Sequence, residues 1–378
     1  MRKVIEQCED VVKSKSYLVK KVPQSVKEEY DNVLDVKLTK KIKELIKFLK
    51  NEYLPECSNT LEYPGGGDMY KYLVKNHTSL AKPSISKIHK LGLSEVKRIN
   101  KEIDQLFSKN GLERPKNEDL RNMLYKSKSK VIQEYERIRK LVNTELIPQY
   151  FDMKISHDYL LKKVPKFKEE FDAGAYYMMC SIDNKRKGTF YLNMNNLSDH
   201  QTFNTLSLSL HEGNPGHHFQ LTYANDLNLP NFVTYCDDET AYVEGWGLYS
   251  ESLAHDFLKN SKDKDDIMFR YGAYNYEIMR ACRLVVDTGI HHYGWDFNKC
   301  FKFMKENTTF SDNEIEVEIY RYSVYAGQAL AYKIGELKFK ELREYFIKNK
   351  KGTLKDFHKI VLQWGACSLE LLEKIIKK

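Results

Sequence analysis

The feature that most limits the fold of this chain is a break written into an apolar helix. Leu206, Leu208 and Leu210 run into His211-Glu212-Gly213-Asn214-Pro215-Gly216-His217-His218, within a stretch from Asn204 to Tyr223 that reads as one helix with a buried first half. Pro215 removes a ladder N–H and clashes with the preceding turn, and Gly216 tolerates the backbone of a bulge. In a plain H-E-x-x-H helix the two histidines lie about 40° apart around the axis and about 6 Å apart along it, so both rings reach one zinc and the glutamate faces its water. Here the spacing is longer. On an undistorted helix His217 would stand roughly 120° round from His211, and His218 nearly in line but roughly 10 Å further along. Either pairing with His211 needs a deformed helix. The competing explanation is a kinked helix with three histidines packed in a polar pocket.

A second carboxylate weighs against that explanation. After a break at Asn228-Leu229-Pro230, the stretch from Asp237-Asp238-Glu239 through Glu244-Gly245-Trp246 to Glu251 reads as the start of another helix. Glu244 sits amid apolar and aromatic residues, where a carboxylate is costly unless it is paired, hydrogen-bonded or on a metal. A glutamate from a second helix completes a two-histidine zinc site and leaves one position open for water. Glu251 ranks as a partner that orients a ligand, and Glu239 as a surface or capping carboxylate.

The rest of the chain predicts a mainly α protein, a large helical bundle with a cleft and a small β-hairpin or sheet beside the metal-binding helix. Leu38, Ile42, Leu45, Ile46 and Leu49 recur at helical steps in a lysine-rich segment 1–62, ahead of a catalytic domain over 63–378. Pro64-Gly65-Gly66-Gly67 marks a turn. Val96, Ile99, Ile103 and Leu106 form a stripe behind a cap at Ser94, and Val131, Tyr135, Ile138 and Val142 form another. Residues 175–180 and 189–194 are short β-prone runs around a turn-like 183–188, hence a hairpin whose free edge could take an extended substrate. The helix Tyr271 to His292 carries Arg280, Arg283, Asp287 and His291. Arg283 and Asp287, four apart, are expected to pair, and His291 is a candidate for orienting a ligand or substrate. Ser311-Asp312-Asn313-Glu314 is a capping-box start. It leads to Arg321, Tyr322, Tyr325, Gln328 and Tyr332, the groups a hydrolase needs to steady an oxyanion and hold a carboxylate.

Composition narrows the class. The seven cysteines include no C-x-x-C pair, which argues against a disulfide framework and a cysteine-based zinc site. The net charge of +8 comes from lysines spread along helical segments, which disfavours nucleic acid as a partner. No apolar run is long enough to span a bilayer, and the charged start Met1-Arg2-Lys3 suggests a cytoplasmic protein. Oligomeric state is not legible.

With the histidine cluster, Glu244-Gly245-Trp246 and Gly327-Gln328-Ala329-Leu330-Ala331-Tyr332-Lys333-Ile334-Gly335 in that order, the chain from about Tyr63 onward resembles a bacterial family labelled a domain of unknown function, whose hallmark is H-E-x-x-P-G-H-H. That family is similar, distantly, to the helical gluzincin peptidases of the angiotensin-converting enzyme and thermostable carboxypeptidase type. The resemblance implies His211 as first ligand, Glu212 as general base and Glu244 as third ligand of one Zn2+ per chain. Arg321-Tyr322 resembles an Arg-Tyr pair of angiotensin-converting enzyme, which implies Tyr322 as the oxyanion donor. The second ligand stays open between His218, preferred because His218-Phe219-Gln220 is similar to the gluzincin helix, and His217. The expected activity is zinc-dependent cleavage of short peptides, with Arg321, Tyr325, Gln328, Tyr332 and His291 as substrate-binding candidates. A hydrolase of non-peptide amides or esters, and an inactive peptide- or metal-binding relative, are the alternatives.

Overall fold

The computed structural model describes residues 1–14, 22–57, 60–166, 168–169, 174–230, 232–233 and 239–378. They divide into two compact units, Met1–Thr60 with Val164–Ala173, and Leu61–Lys163 with Gly174–Lys378. The first is helical, with helices at Arg2–Ser14 and Thr39–Phe48. Of the stripe expected there, Leu49 is buried, Ile42 and Ile46 are half-buried, and Leu38 and Leu45 are exposed.

The second unit is a mainly α body with one small sheet. Its helix Ile85–Lys109 buries Val96, Ile99, Ile103 and Leu106 against the thirty-residue helix Lys264–Tyr293. The helix starts well before Ser94, whose hydroxyl donates back to the Leu91 carbonyl at 2.8 Å, so Ser94 is a mid-helix serine and not a cap. Val131, Tyr135 and Ile138 are buried along Lys128–Leu141, with Val142 just beyond it.

The hairpin forms between β2 (Ala175–Met178) and β3 (Thr189–Leu192), and a third strand not read from the sequence, β1 (Leu160–Lys163), pairs in parallel on the other side of β3. β3 is thus central, and Phe190 and Leu192 on it are fully buried. Leu208 packs against this cluster while Leu206 and Leu210 point into a separate helical one. A helix apolar on both sides is clamped between the sheet and the bundle.

Behind it, the helix Thr240–Phe257 lies along Ala331–Lys348 more extensively than almost any other helix pair. Gly245 and Gly335 make the crossing. A Cβ on Gly245 would stand 2.5 Å from the Gly335 Cα, and one on Gly335 would stand 2.0 Å from the Ala241 carbonyl oxygen. The close approach seals Tyr242, Trp246, Tyr249 and Phe339 into one aromatic core. Along the same helix Lys333, fully buried, contacts Glu277 and Glu336 at 2.6 Å each and Glu95 at 3.0 Å, an ion cluster that ties three helices. None of the helices among the described residues is long and apolar enough to cross a membrane.

Candidate metal centre

The stretch expected as one helix is two. Thr205–Glu212 stops at Gly213, and His217–Asp226 begins after Gly216, so the two halves need not share an axis. Gly216 is required by space, because a Cβ there would fall 1.9 Å from the His211 carbonyl oxygen. The turn is fixed to the neighbouring helix by the Trp246 indole N–H, which donates to the Pro215 carbonyl at 2.8 Å.

This fold-back settles the geometry of the two candidate histidines. The His211 and His217 rings stand edge to face at 4.7 Å, and ligand atoms of His211, Glu212 and His217 all lie within 4.8 Å of one another. Glu244 completes the cluster, its Oε2 lying 3.5 Å from His211 Nε2 and 3.3 Å from His217 Nε2. His218, the preferred second ligand from sequence, lies elsewhere. Its Nδ1 is 2.9 Å from the Tyr177 hydroxyl and its Nε2 is 3.1 Å from the His157 carbonyl, so both ring nitrogens are engaged beside the sheet. Burial pushes the His218 imidazole down to about 3, neutral at physiological pH. Adjacent residues on one helix point about 100° apart, so the turn that delivers one of these rings to His211 turns the other away.

His211 is held from behind. Its Nδ1 lies 2.7 Å from Glu251 Oε1, and since an ionised carboxylate only accepts, the proton is on Nδ1. Glu251 is buried, accepts also from the Ser207 hydroxyl, and lies 3.5 Å from an Arg280 nitrogen. That leaves His211 Nε2 aimed at Glu244. Glu244 Oε2 is enclosed yet makes no hydrogen bond of good geometry, and His217 Nδ1 is likewise buried without a partner. His211 Nε2, His217 Nε2 and Glu244 Oε2 converge, and a cation shared between them would satisfy all three. Burial alone would push the His211 imidazole down, but Glu244 and Glu251 outweigh it and hold it up at about 9, while His217 and His211 hold the Glu244 carboxyl well below the usual range. A proton, or a metal ion, fills the same electrostatic role. Two nitrogens and an oxygen, backed by a carboxylate on the far side of one histidine, suit zinc.

The other residues singled out divide between this cluster and the scaffold. Tyr332 stacks near-parallel to the His211 ring at 6.4 Å. Tyr322 is fully buried and its hydroxyl donates to Glu318 at 2.5 Å while accepting from Arg283 at 3.1 Å, so its proton is committed to Glu318. His291 is engaged on both sides, by the Tyr63 amide at 3.0 Å and the Tyr322 carbonyl at 2.9 Å, which makes it a strut. Tyr325 is exposed and packs edge-on to His77. Arg283 pairs with Glu318 at 2.8 Å, not with Asp287. Asp287 instead accepts from the Tyr70 hydroxyl at 2.6 Å and from the Gly327 amide. Glu239 accepts from Ser79, and Asp237 and Asp238 lie outside the described residues. Sequence reading missed Ser207 and Tyr177, whose signal was only their helical or strand phase relative to Glu251 and His218.

The fold and this cluster define a class, a helical body with a buried centre of two histidines and two glutamates built across a broken helix. The chain belongs to a bacterial family of proteins of unknown function, DUF885, whose family model matches residues 1–376. The likeness therefore includes the N-terminal segment that the motifs left out. Among solved structures, the chain is similar to a protein of Colwellia psychrerythraea (TM-score 0.86, 26% identity, 97% of this chain and 65% of that one) and to one of Shewanella oneidensis (TM-score 0.71, 16% identity, 99% and 72%). Both are described as putative lipoproteins, and the second likeness shows the fold alone. This chain spans just under two thirds of the length of the Colwellia protein. No curated protein sequence matches it.

Proposed function

We propose that the protein is a zinc-dependent hydrolase of peptide bonds in short peptides. The observation that carries this is the convergence of His211 Nε2, His217 Nε2 and Glu244 Oε2 around one point, with Glu212 at its edge. His211, His217 and Glu244 hold the ion, and Glu251 fixes the tautomer and angle of His211. When bound there, zinc supplies a water of lowered pKa and polarises a carbonyl oxygen. Glu212 takes a proton from the attacking water and returns it to the leaving amine, the work of a carboxylate beside such a site. Glu212 is buried and only just reaches the surface. A binding module has no need of that base.

The test is zinc content per chain, by elemental analysis, of the wild type and of His217→Ala, His218→Ala and Glu244→Ala, followed by a panel of short peptides with and without chelator. About one zinc per chain is expected, lost in His217→Ala and Glu244→Ala and kept in His218→Ala. Glu212→Gln should keep its zinc and lose about a hundredfold or more in rate. A wild type that takes up no zinc when the metal is supplied ends the reading, and turnover confined to non-peptide amides or esters replaces it. The cytoplasmic expectation is open to its own test, since both similar structures are described as putative lipoproteins. Recovery of the native protein in a membrane fraction would overturn it.

A further inference from the structure

One side of the centre carries more positive charge than its carboxylates balance. Arg283, buried, takes Glu318 Oε2 with both Nε at 3.2 Å and Nη2 at 2.8 Å. The same oxygen accepts from Tyr322. Arg321 has to share that carboxylate, reaching only the other oxygen at 3.5 Å, and no other carboxylate pairs with it among the described residues. Neutral groups hold it in place instead. Its Nη2 donates to Gln328 Oε1 and to the Tyr332 hydroxyl, each at 3.0 Å, and Gln328 Nε2 lies 3.4 Å from the same hydroxyl. Unlike Arg283, it keeps 34% of its side chain exposed. A guanidinium oriented through one nitrogen by two neutral partners, open to solvent and short of a counter-ion, keeps hydrogens on Nε and Nη1 to receive an anion.

Its position gives the anion a meaning. Tyr332 lies between the two places, its ring 6.4 Å from that of His211 and 5.9 Å from the Arg321 guanidinium carbon. Arg321 is therefore no more than about 12 Å from the His211 ring, a span that up to about three extended residues cover. We propose that Arg321, positioned by Gln328 and Tyr332, binds a carboxylate of the substrate within about three residues of the scissile bond. The assignment rests on the hydrolase reading of the neighbouring cluster. It makes the substrates short peptides with a free carboxyl terminus, or with an acidic side chain at that distance.

The test uses full-length protein stripped of metal, so that no turnover intervenes, titrated calorimetrically with trialanine, trialanine amide and Ala-Glu-Ala amide. Trialanine is expected to bind at least about tenfold more tightly than its amide. Arg321→Gln should erase that difference with an unchanged unfolding midpoint, and Arg321→Lys should restore part of it. Ala-Glu-Ala amide binding as well as trialanine would support the site and assign it to an acidic side chain. Equal affinity for trialanine and its amide in the wild type overturns the proposal, as does a preference that survives in Arg321→Gln. So does the absence of trialanine binding at about 10 mM. Because zinc content is measured separately, a failed carboxylate site and a failed metal site give different results.

Discussion

At the scale of single residues, burial decides what a titratable group does. Asp287 is fully enclosed, and burial pushes its carboxyl up to about 7 even though the Tyr70 hydroxyl and the Gly327 amide pull it down. Its unfolded value is about 3.9, so between roughly pH 4 and 7 the folded chain binds more protons here than the unfolded one. Stability is then lost as pH rises across that window, by up to roughly 4 kcal/mol, and is level above it. Asp287→Asn keeps an acceptor for Tyr70 and removes the titration. Denaturant unfolding from pH 4 to 8 should show the variant losing less stability than wild type over the lower part of that range, and identical slopes would refute the raised carboxyl. None of this was visible in the sequence, where Asp287 stands four residues from Arg283 and an intrahelical pair is the simplest expectation. Glu318 lies 35 positions away and takes the arginine by tertiary contact. Lys333 was hidden for the same reason, since a lysine at one position says nothing about three glutamates on three helices. Ser311 and Glu314 were legible because a capping box is closed within four residues.

At the scale of elements, helical phase carried the reading wherever the helix was continuous and failed where it broke. The stripes Val96 to Leu106 and Val131 to Val142 are buried as their spacing requires. The choice between His217 and His218 was not legible, because Gly213 to Gly216 interrupts the helix and resets the angle that spacing arguments rely on. Two glycines of the helix Thr240–Phe257 separate the roles of that element. A Cβ on Gly247 would come within 2.7 Å of the His211 ring, which can give way only by shifting from its place between Glu251 and Glu244, whereas one on Gly245 meets the Gly335 backbone. Gly247→Ala should fold and bind zinc about tenfold or more weakly, as measured by competition with a chelating dye. Gly245→Ala should lower the denaturant midpoint with an unchanged slope, costing about 3 kcal/mol. If both substitutions weaken zinc and stability alike, the crossing and the centre are one cooperative feature.

At the scale of the whole molecule, the proposed centre takes its candidate ligands from three successive helices, Thr205–Glu212, His217–Asp226 and Thr240–Phe257, so an ion held there would tie the two halves of the broken helix to the helix that follows them. Any ligand that binds only the folded chain stabilises it by mass action, about 4 kcal/mol when present at a thousand times its dissociation constant. Chelation should accordingly lower the thermal midpoint, zinc should restore it, and Glu244→Ala should respond to neither. A midpoint indifferent to metal in the wild type would contradict the site. The indole that bridges the broken turn gives this linkage an optical readout. Trp246 sits two positions after Glu244 and touches the segment between His211 and His217, while Trp364 is half exposed and Trp295 packs near Gly289. The three tryptophans thus report on different environments, and the asymmetric, rigid setting of Trp246 should give the native protein a near-ultraviolet dichroism band that follows the state of the turn without any added probe.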